Sequence, residues 1–287
     1  MEFTSGCTSD SSQAPLKFQV AGDTDIGGGK ENQDDYFIFQ RPAEGVCVMV
    51  VLDGHGRDVG KLAAESGKNF LSSYFEEHYK SIPSDPLRVL GEAMQLCHQH
   101  IKASFKEELT KSGWEVQESS EGGYLLKRRN LSQSWLCVHG GTSCSIVAVI
   151  GRKIYTANVG DSSAILCASS SLLVPSNLVH IGDAALMSGE QASPSLQAVA
   201  ASPTTAAELT DTIVITAEHS PESHAEFYRM RKFRCNDSDS KIPALHVVYD
   251  APGQEKVRCP PVFAVSSDGA ATITNNGTYY KNVRKEW

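Results

Sequence analysis

The sequence predicts an α+β fold in which antiparallel strands pack against amphipathic helices, and three observations support this class. Residues 35–40 alternate apolar and polar side chains, which is typical of a strand with one buried face. Residues 46–52 form a continuous apolar run, which predicts a fully buried strand. Residues 59–79 and 87–109 repeat apolar side chains at helical spacing, so each is expected to cover one face of a sheet.

Further strands are predicted on both sides of these elements. Residues 16–21 alternate apolar and polar side chains as another strand would. A turn at Gly151-Arg152 joins the first two strands of a predicted three-stranded meander. These strands cover residues 143–150, 153–158 and 162–166.

Two stretches interrupt this pattern. Residues 110–139 are polar with isolated aromatic side chains, which predicts an inserted loop or hairpin. Residues 168–210 shift to Ser, Ala and Pro without a regular period, as expected of a flexible surface insertion. Residues 16–287, with these two insertions, are interpreted as one large domain. A polar, Ser-rich and disordered N-terminus of residues 1–15 precedes it.

Bulk composition narrows the classes of function. The chain has 287 residues, of which 40% are hydrophobic, so it can bury a sizeable core. Its formal net charge of −8 disfavours nucleic acid as a partner. No apolar segment resembles a secretory signal or a membrane span, so we expect an intracellular protein, cytoplasmic or nuclear, that does not bind membranes. The eight cysteines are scattered without a Cys-x-x-Cys pair, which predicts free, mostly buried thiols.

The candidate site begins where the apolar run of residues 46–52 ends. Asp53-Gly54-His55-Gly56 places a carboxylate and an imidazole at the mouth of this strand. The two glycines let backbone carbonyls approach an ion closely, and such an oxygen-rich corner favours Mg²⁺ or Mn²⁺. Taken alone, an Asp-Gly pair after a strand is equally typical of a simple turn.

Four sequence blocks in a fixed order carry a family resemblance. In order they are Asn32-Gln33-Asp34-Asp35, Asp53-Gly54-His55-Gly56, Gly140-Gly141-Thr142 continuing to Gly160-Asp161-Ser162, and His219-Ser220-Pro221. Together they resemble the metal-dependent protein phosphatase 2C, or PPM-type, serine/threonine phosphatases, over roughly residues 16–232. The resemblance implies an αββα sandwich of two antiparallel sheets flanked by helices.

The same resemblance implies a chemistry and a substrate. The family hydrolyses phosphoserine and phosphothreonine in proteins by a water that two metal ions activate. Asp53 would bridge these ions, the Gly54 carbonyl would bind one of them, and His55 would protonate the leaving oxygen. Asp161 maps to an Asp that holds a further, loosely bound metal, although an Asp in a turn is an equally good interpretation.

Two positions near the N-terminus depart from the family. The residue that contacts a metal-bound water corresponds to Gln33, which contributes no negative charge. Asp34 corresponds to an Asp that supports the centre without touching the metal. The phosphate-binding Arg corresponds to Gly29, and Lys30 beside it would substitute as a point charge without the fork of a guanidinium.

The C-terminal part departs most. The family has an Arg-x-x-Gly-Asp strand before an Asp-Gly metal motif and a final Asp-Asn, whereas here Asp268-Gly269 follows no such strand. Either Asp268 is a metal ligand of a shortened protein, or it lies in a flap turn and the sequence stops before the true motif; the second is favoured. We therefore expect a metal-dependent phosphatase with an incomplete centre. The alternative is a catalytically deficient binding module that uses the two insertions as contact surfaces.

Overall fold

The structure is a computed structural model, and it describes the chain in separate stretches. These are residues 19–27, 30–119, 124–167, 178–181, 212–235, 245–249, 255, 258–274 and 281–285. The predicted disorder of residues 1–15 and nearly all of the insertion at 168–210 lie outside the described residues, as does Gly29. The chain forms two compact units, residues 1–158 with 164–216 and residues 159–163 with 217–287.

The helices and strands are numbered in chain order. They are β1 (Asp35–Arg41), β2 (Val46–Leu52), β3 (Gly54–His55), α1 (Gly60–His78), α2 (Pro86–Lys111), β4 (Glu115–Glu118), β5 (Leu125–Arg128), β6 (Leu136–Cys137), β7 (Gly141–Thr142), β8 (Cys144–Ile150), β9 (Lys153–Val159), β10 (Ile165–Cys167), β11 (Leu178–Ile181), β12 (Thr212–Val214), α3 (His224–Cys235), β13 (Leu245–Tyr249), β14 (Phe263–Val265), β15 (Ala271–Ile273) and β16 (Lys281–Lys285). Antiparallel sheets and three helices in the described residues confirm the predicted α+β class.

A five-stranded sheet in the order β1-β2-β8-β9-β11 organises the first unit. The pairs β1–β2 and β2–β8 are antiparallel, and the short edge strand β11 runs parallel to β9. Alternate residues of β1, β2 and β8 pack with α1 and α2 in one core, as the side-chain period of two requires. The resulting core has Val48, Ile146, Leu71, Phe75 and Leu90 fully buried.

Strand β2, which lies between β1 and β8, is buried mainly on its helix-facing side. Val46, Val48, Val50 and Leu52 pack against the helices, whereas Val51, on the opposite side, is 50% exposed. The prediction that this strand is buried on both faces was therefore wrong at Val51. A continuous apolar run does not record which side of the strand another element covers.

Local signals set the ends of the second helix. α2 begins at Pro86, whose fixed φ suits the first helical turn, and the Asp85 carboxylate accepts the Arg88 backbone N–H at 3.4 Å. The helix continues to Lys111, two residues beyond the predicted end, and Gly113 follows with a φ of +81°. None of the described helices carries an apolar stretch long enough to cross a bilayer.

The predicted insertion at 110–139 contains a three-stranded antiparallel sheet in the order β4-β5-β6. Arg128 on β5 holds Glu115 on β4 through a two-pronged ion pair, with its Nε 2.7 Å from one carboxylate oxygen. Leu125 and Trp114 pack with Phe105 and Leu109 of α2. The interpretation of this stretch as an inserted loop or hairpin is therefore made more specific, because the insertion is a small sheet anchored on α2.

Two strand predictions were wrong. Residues 19–21, the described part of the expected strand at 16–21, form no strand, and this segment is held through the Tyr36 hydroxyl, which donates to the Gly22 carbonyl at 2.8 Å. The third strand of the meander, β10, leaves the main sheet and pairs with β12. Thr216 Oγ1 and the Ile215 N–H bond to the backbone of Ala164 and so fix that pairing.

The second unit has its own core. Phe227 of α3 stacks on Phe263 of β14, with 4.3 Å between ring centroids. Val247, Tyr249 and Val262 are buried beside them. The strands form two antiparallel pairs, β13–β16 and β14–β15.

Candidate functional site

The site is built where the main sheet ends. β3 follows β2 after a single residue, Asp53, and pairs antiparallel with β7, so that Gly54 lies opposite Thr142 and His55 opposite Gly141. Ser143 donates its backbone N–H to the Asp53 carbonyl at 2.9 Å, and its hydroxyl accepts the Asp53 N–H at 3.3 Å. Two predicted sequence blocks, separated by both helices and the insertion, therefore meet at this junction.

Close backbone packing requires glycine at this junction. A Cβ atom on Gly54 would lie 2.3 Å from the Gln33 carbonyl oxygen and 2.5 Å from the Gly60 carbonyl oxygen. Gly56 has a φ of +101°, and a Cβ atom there would lie 2.3 Å from the Gly140 Cα. A side chain at either position collides with backbone that cannot move aside, so the two glycines fix the geometry of the loop.

The imidazole of His55 lies over Gly141. A Cβ atom on Gly141 would be 3.6 Å from the His55 Cε1 and 3.7 Å from its Nε2, and the His55 side chain is exposed to solvent. Gln33 reaches the same loop, since its Nε2 donates to the Gly56 carbonyl at 3.2 Å. The structure therefore brings Gln33, Gly54 and His55 together, and an exposed imidazole in this place can exchange a proton with a ligand.

The acidic block divides into exposed and paired carboxylates. Asp34 is exposed, its N–H is bound by the Asn32 side chain at 3.0 Å, and it lines a cavity of about 430 Å³ beside β1 and β2. Asp35 forms an ion pair with Lys68 of α1 at 2.6 Å. Lys30 is exposed. The roles predicted for Asp34 and Lys30 stay predictions.

Asp161 lies in the second unit, beside another predicted block. The Gly160 N–H donates to the His219 Nδ1 at 3.1 Å, and the His219 N–H donates back to the Gly160 carbonyl at 3.1 Å. With Nδ1 accepting, the neutral imidazole of His219 carries its proton on Nε2. The loop that presents the exposed Asp161 is thereby fixed to the His-Ser-Pro block, and metal binding by Asp161 stays a prediction.

Asp268 lies in the turn of the β14–β15 hairpin, the kind of turn that the sequence favoured. Its exposed carboxylate accepts the Ser266 hydroxyl and, at 3.2 Å, the Ala270 N–H. These two hydrogen bonds lower the pKa of Asp268, the one from Ser266 contributing most. The carboxylate therefore closes its own turn, and its role as a metal ligand stays a prediction.

Sequence reasoning missed an ion pair beside the junction, in which a buried lysine meets an exposed aspartate. Lys127 of β5 is only 6% exposed, and its Nζ lies 2.7 Å from the Asp58 carboxylate. Asp58 also accepts the His139 backbone N–H at 3.2 Å and donates its own N–H to the His139 carbonyl at 3.2 Å. Neither residue belongs to a predicted block, and residues 125–128, Leu-Leu-Lys-Arg, show no alternation of apolar and polar side chains that would have revealed the buried position of Lys127.

The junction carries oxygen atoms of the chemical type that hard cations bind. The Asp53 carboxylate and the Gly54 carbonyl are oxygen ligands of the type that Mg²⁺ and Mn²⁺ prefer. Within the described stretches, however, no three His, Cys, Asp or Glu side chains converge as a metal site. The described residues therefore offer part of a metal site rather than a full set of ligands.

Comparison with known proteins finds a family match over part of the chain. A sequence profile of the family described as protein phosphatase 2C matches residues 88–175. Among solved structures, the chain is similar to a bacterial serine phosphatase, with 21% sequence identity over 52% of this chain and a TM-score of 0.31. The chain spans 56% of the length of that structure. A search of the curated proteins finds no match.

The profile match confirms the resemblance to the PPM-type phosphatases. The matched segment contains nearly all of α2, the inserted sheet, the strand β7 and the loop of Asp161. Asp53-Gly54-His55-Gly56 lies outside it and is joined to it through the β3–β7 pairing. A segment that matches the protein phosphatase 2C profile therefore lies next to the predicted catalytic loop.

Proposed function

We propose that this chain is a metal-dependent serine/threonine protein phosphatase that hydrolyses phosphoserine and phosphothreonine in proteins, with Mg²⁺ or Mn²⁺ as its cofactor. The observation that carries the proposal is the junction of β3 and β7. There, an Asp at the end of a core strand and an exposed His are fixed beside a segment of the phosphatase family.

Each residue of the junction has a role in this proposal. Asp53 and the Gly54 carbonyl would hold the cation, which when bound supplies an activated water and neutralises phosphate charge. His55 gives a proton to the oxygen of the leaving serine or threonine, a step for which its exposed imidazole over Gly141 is accessible. Gln33 keeps the Gly56 carbonyl, and with it the loop, in place.

A second candidate is a catalytically deficient phosphatase-like module that binds a phosphorylated or regulatory partner. Two observations favour it: the described residues assemble no three-ligand metal cluster, and the Asp268 carboxylate is engaged in its own turn. A site with fewer carboxylates binds a divalent ion more weakly, so metal affinity separates the two candidates.

The experiment measures metal binding and turnover on the same preparations. Mn²⁺ and Mg²⁺ affinities are determined by calorimetry, and hydrolysis of p-nitrophenyl phosphate and of a phosphothreonine peptide is followed from micromolar to millimolar metal. We expect turnover only at millimolar metal. Asp53→Asn should lower it by about 10²-fold or more, and His55→Gln by about 10²-fold or more with the peptide.

Glu44→Gln is the matched control, because it makes the same change from carboxylate to amide on an exposed side chain of the first unit. Activity that survives Asp53→Asn would show that the catalytic site lies elsewhere. Metal binding or peptide binding without turnover in the wild type would favour the module. Asp268→Asn decides the remaining ligand question: a loss of metal affinity assigns Asp268 to the site, and unchanged affinity leaves it in its turn.

A further inference from the structure

The buried charge of Lys127 joins the inserted sheet to the loop that follows His55. Its ammonium group lies 2.7 Å from the Asp58 carboxylate and 4.6 Å from the centre of the Trp114 ring. The first contact is an ion pair, and the second is a cation–π interaction. The inserted sheet therefore places a positive charge beneath the loop rather than on the protein surface.

Asp58 connects Lys127 to the backbone on both sides of the β3–β7 junction. It lies three residues after His55, and its carboxylate and N–H together bind the backbone of His139. His139 lies two residues before Gly141, the residue over which the His55 ring rests. One carboxylate thus fastens the His55 loop to the strand that forms the floor under the imidazole.

Burial of its lysine distinguishes this ion pair from the Lys102–Glu118 pair. The Lys127 side chain is 8% exposed and that of Asp58 is 29% exposed, whereas in the Lys102–Glu118 pair the Glu118 side chain is 56% exposed. Exposed pairs contribute little, but removal of the Asp58 carboxylate leaves the buried charge of Lys127 without its partner. Burial raises the pKa of Asp58, but the hydrogen bonds from Lys127 and the His139 N–H, with the charge of Lys127, hold it below its ordinary value.

We propose that Lys127 and Asp58 are positioning residues for His55, through which the inserted sheet sets the place of the imidazole over Gly141. The catalytic consequence rests on the proposed function of His55. The geometric consequence does not, since the position of the ring is measurable without any turnover. A change in the inserted sheet, such as the docking of a partner on it, would reach the site through this pair.

The test uses the full chain and three variants. Lys127→Met keeps the length and the packing against Trp114 but removes the charge, and Asp58→Asn keeps the shape of the acceptor. Lys102→Met is the matched control, because it makes the same change in a Lys–Glu pair of the inserted sheet. That pair joins the sheet to α2 rather than to the loop after His55. The NMR signals of Gly141 report the ring position, since an imidazole packed on a glycine shifts them through its ring current.

We expect Lys127→Met and Asp58→Asn each to move the Gly141 signals and to accelerate amide exchange in residues 54–60 about tenfold or more. The control variant Lys102→Met should leave the Gly141 signals and the amide exchange unchanged. Lys127→Arg, which keeps the charge, should retain much of the wild-type behaviour in both measurements. If Lys127→Met does not fold, Asp58→Asn carries the test. Unchanged Gly141 signals and unchanged exchange in residues 54–60 in a folded Asp58→Asn chain would overturn the proposal.

Turnover adds a second readout. If the wild type is active, Asp58→Asn should lower kcat about tenfold with little change in KM, because the proton donor rather than the binding surface is displaced. An unchanged kcat together with moved Gly141 signals would contradict the positioning role. If the wild type is inactive and the Gly141 signals still move, the proposed function fails while the coupling of Lys127 to the ring stands.

Discussion

Gly54→Ala tests the central geometric claim about the candidate site. The added Cβ would lie 2.3 Å from the Gln33 carbonyl oxygen, 2.5 Å from the Gly60 carbonyl oxygen and 3.0 Å from the Gly60 carbonyl carbon. All three atoms are backbone, and Gly60 begins α1, so no side chain can rotate away to make room. The expected cost is at the upper end of the range for overpacking, about 3 kcal/mol.

This cost translates into a measurable change. With a urea m-value of about 2–3 kcal/mol/M, a loss of about 3 kcal/mol lowers the unfolding midpoint by about 1–1.5 M. Fluorescence of Trp114 and Trp135 follows the transition, because both residues lie in the first unit. The control is Gly91→Ala in α2, where a Cβ has no neighbour within 4 Å. It should raise the midpoint by about 0.3–0.5 M, since alanine favours the helix.

The comparison between the two alanine variants decides the result. An equal midpoint for Gly54→Ala and the wild type would refute the close packing of three backbone segments at the junction. A lowered midpoint in Gly91→Ala would instead show that substitution in general, rather than contact with backbone, is responsible. The expected outcome is a change of opposite sign in the two variants.

Three further predictions concern residues of the first unit. Thr156→Val should destabilise the unit by about 1–2 kcal/mol in urea unfolding, because the buried Thr156 hydroxyl donates to the Ile215 carbonyl at 3.0 Å; equal stability would show that this bond contributes nothing. Burial raises the pKa of Cys97 to about 12, so iodoacetamide at pH 8 should label the exposed Cys137 and spare Cys97, as peptide mass spectrometry would show. The pKa of Asp58 is lowered in the folded chain, so the contribution of its carboxylate to folding stability is present at pH values above the ordinary 3.8. This contribution is lost as the pH falls through the folded pKa. Between pH 5 and pH 3 the wild type should therefore lose more stability than Asp58→Asn.

Local periodicity in the sequence was sufficient for the main elements. The predicted bounds of β1 and of both long helices lie within two residues of the observed ones. These bounds could be predicted because the period of two or of 3.6 residues is visible in consecutive side chains. The turn at Gly151-Arg152 was equally readable, and β8 and β9 do lie side by side in the main sheet. Pairing of more distant segments was not readable: β10 was expected beside β9 but lies on β12. Strand propensity does not specify which partner supplies the hydrogen bonds.

The candidate site shows the same division. The order of the blocks and the spacing of the glycines determined that Asp53, Gly54 and His55 follow a core strand and that a glycine-rich strand lies later in the chain. Only the tertiary structure showed that these glycines press backbone against backbone and that Gln33 bonds to the Gly56 carbonyl. The Asp58–Lys127 pair was invisible in the sequence, since two residues of opposite charge far apart in the chain carry no sign of their distance. Burial of Lys127 gives that pair its importance, and burial is a property of the folded chain.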